Sequence, residues 1–266
     1  MKQRTIDKYH FYEESVQSPA EDIELFVRLY KQARHREPRH MREDFCGTFM
    51  LACEFVKLDK RNTAEGLDLD SEPLNYGKLN HLSKLTADQK GRLEILKRNV
   101  ISVSRKKADL IVANNFSFYI FREREVLVEY FKNVYRSLAR GGVLILEMVG
   151  GPGFVEKTKE QRTIKVMGKR KFKYIWQQKS FNPINREGHY AIHFQLPNGH
   201  QAKNAFTYHW RIWTIPEVRD ALREAGFKDT CTYWETSHRG VATGEFVRTE
   251  KGDNDWTWLS YVGGLK

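Results

Sequence analysis

The chain has 266 residues, and 45 lysines and arginines against 34 aspartates and glutamates give it a net charge of +11 at pH 7. With 40% hydrophobic residues it can bury one sizeable core; no apolar stretch reaches membrane-spanning length, and Met1-Lys2-Gln3-Arg4 opens into polar sequence without an apolar signal region. Cys46, Cys53 and Cys231 have no C-x-x-C spacing and leave one odd, which argues against a disulfide framework or zinc site and makes the cytoplasm the expected compartment.

In chain order, residues 1–39 read as a helical cap, with Ile23, Phe26, Val27 and Tyr30 at helical spacing and Pro38 ending it. A strand then leads through Met41-Arg42-Glu43-Asp44-Phe45-Cys46-Gly47-Thr48 into a helix from Thr48 to about Lys57. The second strand is Ala64 to Leu69, and Ser71 with Glu72-Pro73 forms a capped helix start. Leu93 to Leu96 is a short third strand, and the apolar run Ala108 to Ala113 is a fourth, buried on both faces. A helix carrying Leu127, Phe131, Val134 and Leu138 on one face stops at Gly141-Gly142, before a fifth strand at Val143 to Leu146.

After Gly150-Gly151-Pro152-Gly153 the pattern becomes short, alternating and aromatic: 173–176, 189–194 and 206–213, separated by Asn182-Pro183 and Pro197-Asn198-Gly199. These read as antiparallel strands inserted before the next helix. That helix opens on the capping box Thr214-Ile215-Pro216-Glu217 and ends at Gly226. Phe227 to Trp234 and Trp256 to Val262 complete the sheet, with a polar loop between. The expectation is a doubly wound α/β fold: a mostly parallel sheet of seven strands, helices on both faces, and the antiparallel insertion. One domain over 1–266 is expected, with a cap at 1–39, a core at 40–150, the insertion at 151–213 and the completing elements at 214–266.

The strand–turn–helix after Met41, followed by Gly66-Leu67-Asp68-Leu69-Asp70 at the end of the second strand, is the layout by which open sheets hold a nucleoside. A dinucleotide fold wants G-x-G-x-x-G, and this turn offers only Gly47. The turn instead resembles motif I, D/E-x-G-x-G-x-G, of the class I S-adenosylmethionine (SAM)-dependent methyltransferases, with Glu43 at the acidic place and Phe45 and Phe49 where the first and third glycines would stand. It is also similar to a bacterial subgroup whose loop reads E-D-F-C-G-T. The resemblance implies SAM as cofactor and S-adenosylhomocysteine (SAH) as product. It assigns Phe45, Cys46, Gly47 and Thr48 to the methionine end, Asp68 with Leu69 to the ribose hydroxyls, Asn99 and Val100 to adenine, and Asn114 and Asn115 to the neighbourhood of the transferred methyl. Asp68 also has a physical warrant, since a carboxylate accepts from two adjacent hydroxyls.

The D/N-P-P-Y/F run of enzymes that methylate nucleobase amines is absent at Asn114-Asn115-Phe116-Ser117, no cysteine stands in a Pro-Cys context, and no carboxylate cluster suggests a divalent ion. Methyl transfer from a sulfonium depends on in-line alignment and exclusion of water, with a base needed only for a protonated nucleophile. His193, His209 and Tyr208 are the candidates for that role. Tyr12, Tyr119, Trp176, Tyr208, Trp210 and Arg211 are candidates for the acceptor wall, and strand alternation allows only half of the inserted aromatics to face it. Tyr9, Tyr12 and Gln17 precede a helix that, in the enzymes this chain resembles, closes over the cofactor.

The expected activity is methylation of nitrogen or oxygen on a small molecule. An RNA methyltransferase is the alternative, carried by the basic run Lys157, Lys159, Arg162, Lys165, Lys169, Arg170, Lys171 and Lys173 and a looser group from Lys90 to Lys107. A non-catalytic SAM-fold binding protein is another, and an NAD-dependent enzyme the last. No membrane partner is expected, and nothing in the sequence sets the oligomeric state.

Overall fold

A computed structural model describes residues 7–166, 170–238 and 241–266. Two helices open it, α1 (Lys8–Val16) and α2 (Pro19–Arg34), where one helical segment was expected. Gln17 is extended and Pro19 starts the second helix afresh; α2 then ends at His35, which turns left-handed, before Pro38 is reached.

The core follows as β1 (His40–Asp44), α3 (Met50–Leu58), β2 (Thr63–Asp68), α4 (Ser71–Asn80), α5 (Ala87–Gly91), β3 (Leu93–Lys97), β4 (Ala108–Ala113), α6 (Arg124–Ser137) and β5 (Leu138–Gly150). The second half contains β6 (Lys159–Val166), β7 (Arg170–Asn182), β8 (Glu187–Gln195), β9 (Gln201–Arg211), α7 (Ile215–Glu224), β10 (Asp229–His238), β11 (Val241–Arg248) and β12 (Trp258–Leu265). The capping box before α7 is present: the Thr214 hydroxyl accepts from Glu217 N, and the Glu217 carboxylate accepts from Thr214 N.

The main sheet runs β11-β10-β12-β5-β4-β1-β2-β3, with β3, β2, β1, β4 and β5 parallel and the last three strands antiparallel. It has eight strands, not seven, because residues 241–248, expected as loop, form an edge hairpin with β10. The polar composition of β11 hid it: among the side chains described there, only Phe246 is buried. Likewise the insertion is a sheet of four antiparallel strands, β6-β7-β8-β9, whose charged edge strand β6 carries no apolar alternation.

The chain leaves β1 toward β2 and β3 on one side, then returns to β4 and β5 on the other. The carboxyl ends of β1 and β4 therefore flank a topological switch point, where open sheets leave a crevice. Two cores cover the sheet faces. One gathers Phe26, Phe49, Phe55 and Leu110 under α2 and α3; the other gathers Leu127, Phe131, Leu144 and Trp213 under α6 and α7 and joins the second sheet through Tyr190 and Trp210. A third cluster, Phe172, Ile192 and Phe194, receives α1, whose Phe11 stacks on Phe172 at 4.4 Å.

Candidate active site

A cavity of about 400 Å³ occupies this switch point, bounded by the loops after β1, β2 and β4, the α1–α2 segment and β9. In the loop after β1, Phe45, Gly47 and Phe49 all take left-handed φ, of 55°, 51° and 53°. Left-handed backbone costs a non-glycine residue roughly 1–2 kcal/mol. Here burial offsets it: Phe49 is fully buried, and Phe45 packs against Phe121 and Tyr130. The two departures from the glycine-rich pattern thus keep a backbone shape that glycine would adopt freely. α4 makes room by presenting Gly77, where a Cβ would stand 2.4 Å from Phe49 Cε1 and 2.5 Å from the Thr48 carbonyl oxygen.

Asp68 ends β2 and faces this loop. Its Oδ2 accepts from Gly47 N at 2.8 Å and its Oδ1 from Asp70 N at 2.9 Å, which fixes the carboxylate and leaves each oxygen a further lone pair. Asp70, not Ser71, caps α4 by accepting from Glu72 N. Asp68 is therefore spared that duty.

After β4, Asn115 and Phe116 are left-handed as well. The Asn115 backbone N–H donates to the Glu147 carboxyl of β5, and Asn114 Nδ2 lies 3.5 Å from Asp22 Oδ2 of α2. Two buried carbonyl oxygens at the cavity, Asn114 Oδ1 and Gln17 Oε1, have no hydrogen-bond partner among the described residues. A buried acceptor without a donor is costly, so both invite a ligand that donates.

Asp22, Glu43, Asp44, Asp68 and Asp70 line the cavity, with Lys8 as the one cationic side chain there among the described residues. Burial pushes Glu43 up to about 8, against the opposing hydrogen bond from Ala52 N at 2.8 Å. Burial likewise lifts Glu147 to about 8 and Asp22 to about 6. Asp44 is fully buried but paired, with Arg42 Nε 2.6 Å away and the Tyr130 hydroxyl donating at 2.8 Å. Tyr9 and Tyr12 of α1 and Phe206, Tyr208 and Trp210 of β9 roof the cavity, and Tyr208 stacks on Trp210 at 4.3 Å.

The fold thus brings together Tyr9, Tyr12, Gln17, Glu43, Phe45, Cys46, Gly47, Thr48, Asp68, Asn114, Asn115, Tyr208 and Trp210 of the residues singled out in the sequence. The others stand elsewhere. Leu69 is exposed; Asn99 closes a turn onto Ile101 N; and the Val100 carbonyl accepts from Arg42. Tyr119 is buried with its hydroxyl donating to the Val149 carbonyl, and Trp176 packs on Phe154 and Tyr190. Arg211 lies 3.7 Å over the Trp213 ring and pairs with Glu217. His193 accepts from Asn204 N and meets Gln177, while His209 stacks on His189 and pairs with Glu187. Neither histidine borders the cavity.

Sequence reasoning missed Asp22, Ser117, Ile120 and Phe206. Asp22 sits in the first turn of α2, where an acid reads as a helix-dipole partner. Of the basic run, Lys169 lies outside the described residues, as do the side chains of Arg170 and Lys171.

No family model and no curated protein matches this sequence. Solved structures do: the chain has the fold of the class I SAM-dependent methyltransferases, an α/β sheet with an added antiparallel sheet. DesVI of Streptomyces venezuelae is 16% identical with a TM-score of 0.71, covering 97% of each chain. SAM-bound CalS10 of Micromonospora echinaspora, an amino pentose methyltransferase, is 14% identical over 99% of each chain with a TM-score of 0.69. The sugar N-methyltransferase KedS8 of Streptoalloteichus is 16% identical with a TM-score of 0.67, covering 99% of this chain and 94% of that one.

Proposed function

We propose that this protein transfers the methyl group of SAM to a nitrogen or oxygen of a small-molecule acceptor. The observation that carries the proposal is the acid-lined cavity at the switch point, with Asp68 fixed at the end of β2 and aromatic rings above. The residues suit the cofactor: a ligand with a sulfonium and an ammonium is drawn to a wall of acidic side chains, and its ammonium donates where Asn114 Oδ1 and Gln17 Oε1 lack partners. When bound, SAM supplies the activated methyl. Asp68 holds the ribose diol, the loop from Phe45 to Thr48 borders the methionine end, and the roof from Tyr12, Tyr208 and Trp210 excludes water and positions the acceptor.

Nitrogen is the favoured target, in keeping with the neighbours named as amino pentose and sugar N-methyltransferases. An amine arriving protonated needs a base. Asp22, raised by burial to about 6, is still ionised near neutral pH whereas Glu43, at about 8, keeps its proton, so Asp22 replaces His193 and His209 as the candidate. RNA is disfavoured as acceptor. Lys159, Lys179 and Lys203 surround His193 on the face of the second sheet opposite the rings that roof the cavity.

Thermal unfolding with saturating SAH, SAM and NAD tests the reading. SAH at 100 times its Kd should stabilise the wild type by about 2.7 kcal/mol, and Asp68→Ala should lose most of that shift. Stabilisation by NAD alone, or by none of the three, would overturn it.

A further inference from the structure

We propose that Glu13 is the positioning residue that couples docking of α1 to the shape of the loop after β1. Glu13 Oε1 accepts from the Thr48 hydroxyl at 2.7 Å and lies 2.7 Å from His81 Nε2. The Glu13 and His81 side chains are only 10% exposed. One buried carboxylate thus joins three segments distant in sequence: α1, the loop from Phe45 to Phe49, and the carboxyl end of α4.

Elsewhere on α1, Arg162 of β6 donates to the Ser15 carbonyl, which ties the helix to the second sheet and not to the loop after β1. Lys8–Glu72 is an exposed pair of the kind that contributes little, and Glu14 is exposed. Tyr9 and Phe11 make ring contacts with Tyr76 and Phe172, which are non-directional. α1 nevertheless supplies Tyr9 and Tyr12 to the cavity wall, so lifting α1 opens that wall to a bound ligand. The Thr48 hydroxyl is engaged by Glu13, and this gives Thr48 a task other than touching a ligand. Lifting α1 breaks that bond and releases a loop that already holds Phe45 and Phe49 in unfavourable backbone conformations. Closure and loop order therefore rise and fall together.

The inference rests on the reading of the cavity as a SAM site, and its test has an arm that does not. Hydrogen exchange across residues 8–16 of the ligand-free protein and SAH release by surface plasmon resonance would be compared for wild type, Glu13→Ala, Thr48→Val, the double variant and Glu13→Gln. Each of Glu13→Ala and Thr48→Val should speed both processes about tenfold, as loss of a hydrogen bond to a charged group implies. The double variant should be no faster than Glu13→Ala, and Glu13→Gln, which still accepts from Thr48, should fall between. A loop substitution that loosens a helix in another segment is what a merely local role would not produce. Unchanged exchange at 8–16 in Thr48→Val, or effects that add in the double variant, would overturn the coupling. If wild type fails to bind SAH, the cofactor reading falls and the exchange arm alone decides the role of Glu13. If Glu13→Ala does not fold, Thr48→Val decides it.

Discussion

At the residue scale, Glu43 and Asp22 in the cavity wall and Glu147 behind Asn115 are carboxyl groups whose proton affinity is raised by burial. Glu43 and Glu147 move from 4.5 to about 8 and Asp22 from 3.8 to about 6. A carboxyl raised on folding adds stability that is full below its unfolded value and lost as pH rises through its folded one. These three carboxyls should therefore contribute a loss of stability in the ligand-free protein from about pH 4 to about pH 8, and Glu43→Gln should reduce that contribution. Urea midpoints at a series of pH values check this; a Glu43→Gln profile parallel to wild type would show that Glu43 is not the titrating group. Binding of a cation reverses the preference and expels protons. Calorimetry of SAM binding near neutral pH, in buffers of different ionisation enthalpy, should thus report net proton release. Phe49 makes a second residue-level case. Phe49→Gly relieves left-handed strain worth roughly 1–2 kcal/mol but removes a fully buried ring worth about 3–5 kcal/mol, so chemical denaturation should show a net loss.

At the element scale, two contacts fix the strand ends around the cavity. Arg42, fully buried in β1, donates to Asp44 Oδ1 and reaches the Ser102 carbonyl, Ser104 Oγ and Ser137 Oγ, tying β1 to the approach of β4 and the end of α6. Removing one partner of a buried pair costs about 3–5 kcal/mol, and Arg42→Ala should lose that much in chemical denaturation. Asp44, left unpaired at the cavity wall, would also perturb SAH affinity. The other contact is Gly77 against Phe49 and Thr48. Gly77→Ala should weaken SAH binding measured by calorimetry because α4 or the loop must move to admit the methyl group. Unchanged affinity would show that the loop yields without cost. Both elements were visible in the sequence as a strand and a helix. Their mutual grip was not, because a buried arginine in a core strand and a mid-helix glycine carry no local sign of what they touch.

At the scale of the whole molecule, the second sheet divides its labour by alternation. One face gives Phe206, Tyr208 and Trp210 to the cavity, and the other carries Lys159, Lys179 and Lys203 around His193. Replacing these three lysines with glutamate should leave SAH affinity within about twofold by calorimetry, since charges on the outward face are screened over roughly 8–10 Å at physiological salt. A larger change would mean that this face communicates with the site. Among the described residues no helix is long and apolar enough to cross a membrane.

The sequence by itself determined the parallel core, the strand–turn–helix after Met41, Asp68 at the end of β2 and the capping box at Thr214. Each follows from local patterning: a period of two or 3.6, a cap, a turn. Only the tertiary structure decided which inserted aromatics roof the cavity, that Asp22 meets Asn114, and that Glu13 joins Thr48 to His81. The partners in these last contacts are 35 to 92 residues apart. Contacts at that range are set by how elements pack, for which no single segment carries a signal. The edge strands β6 and β11 escaped for a related reason, since their pairing is made by backbone groups and their side chains are largely those of a solvated surface.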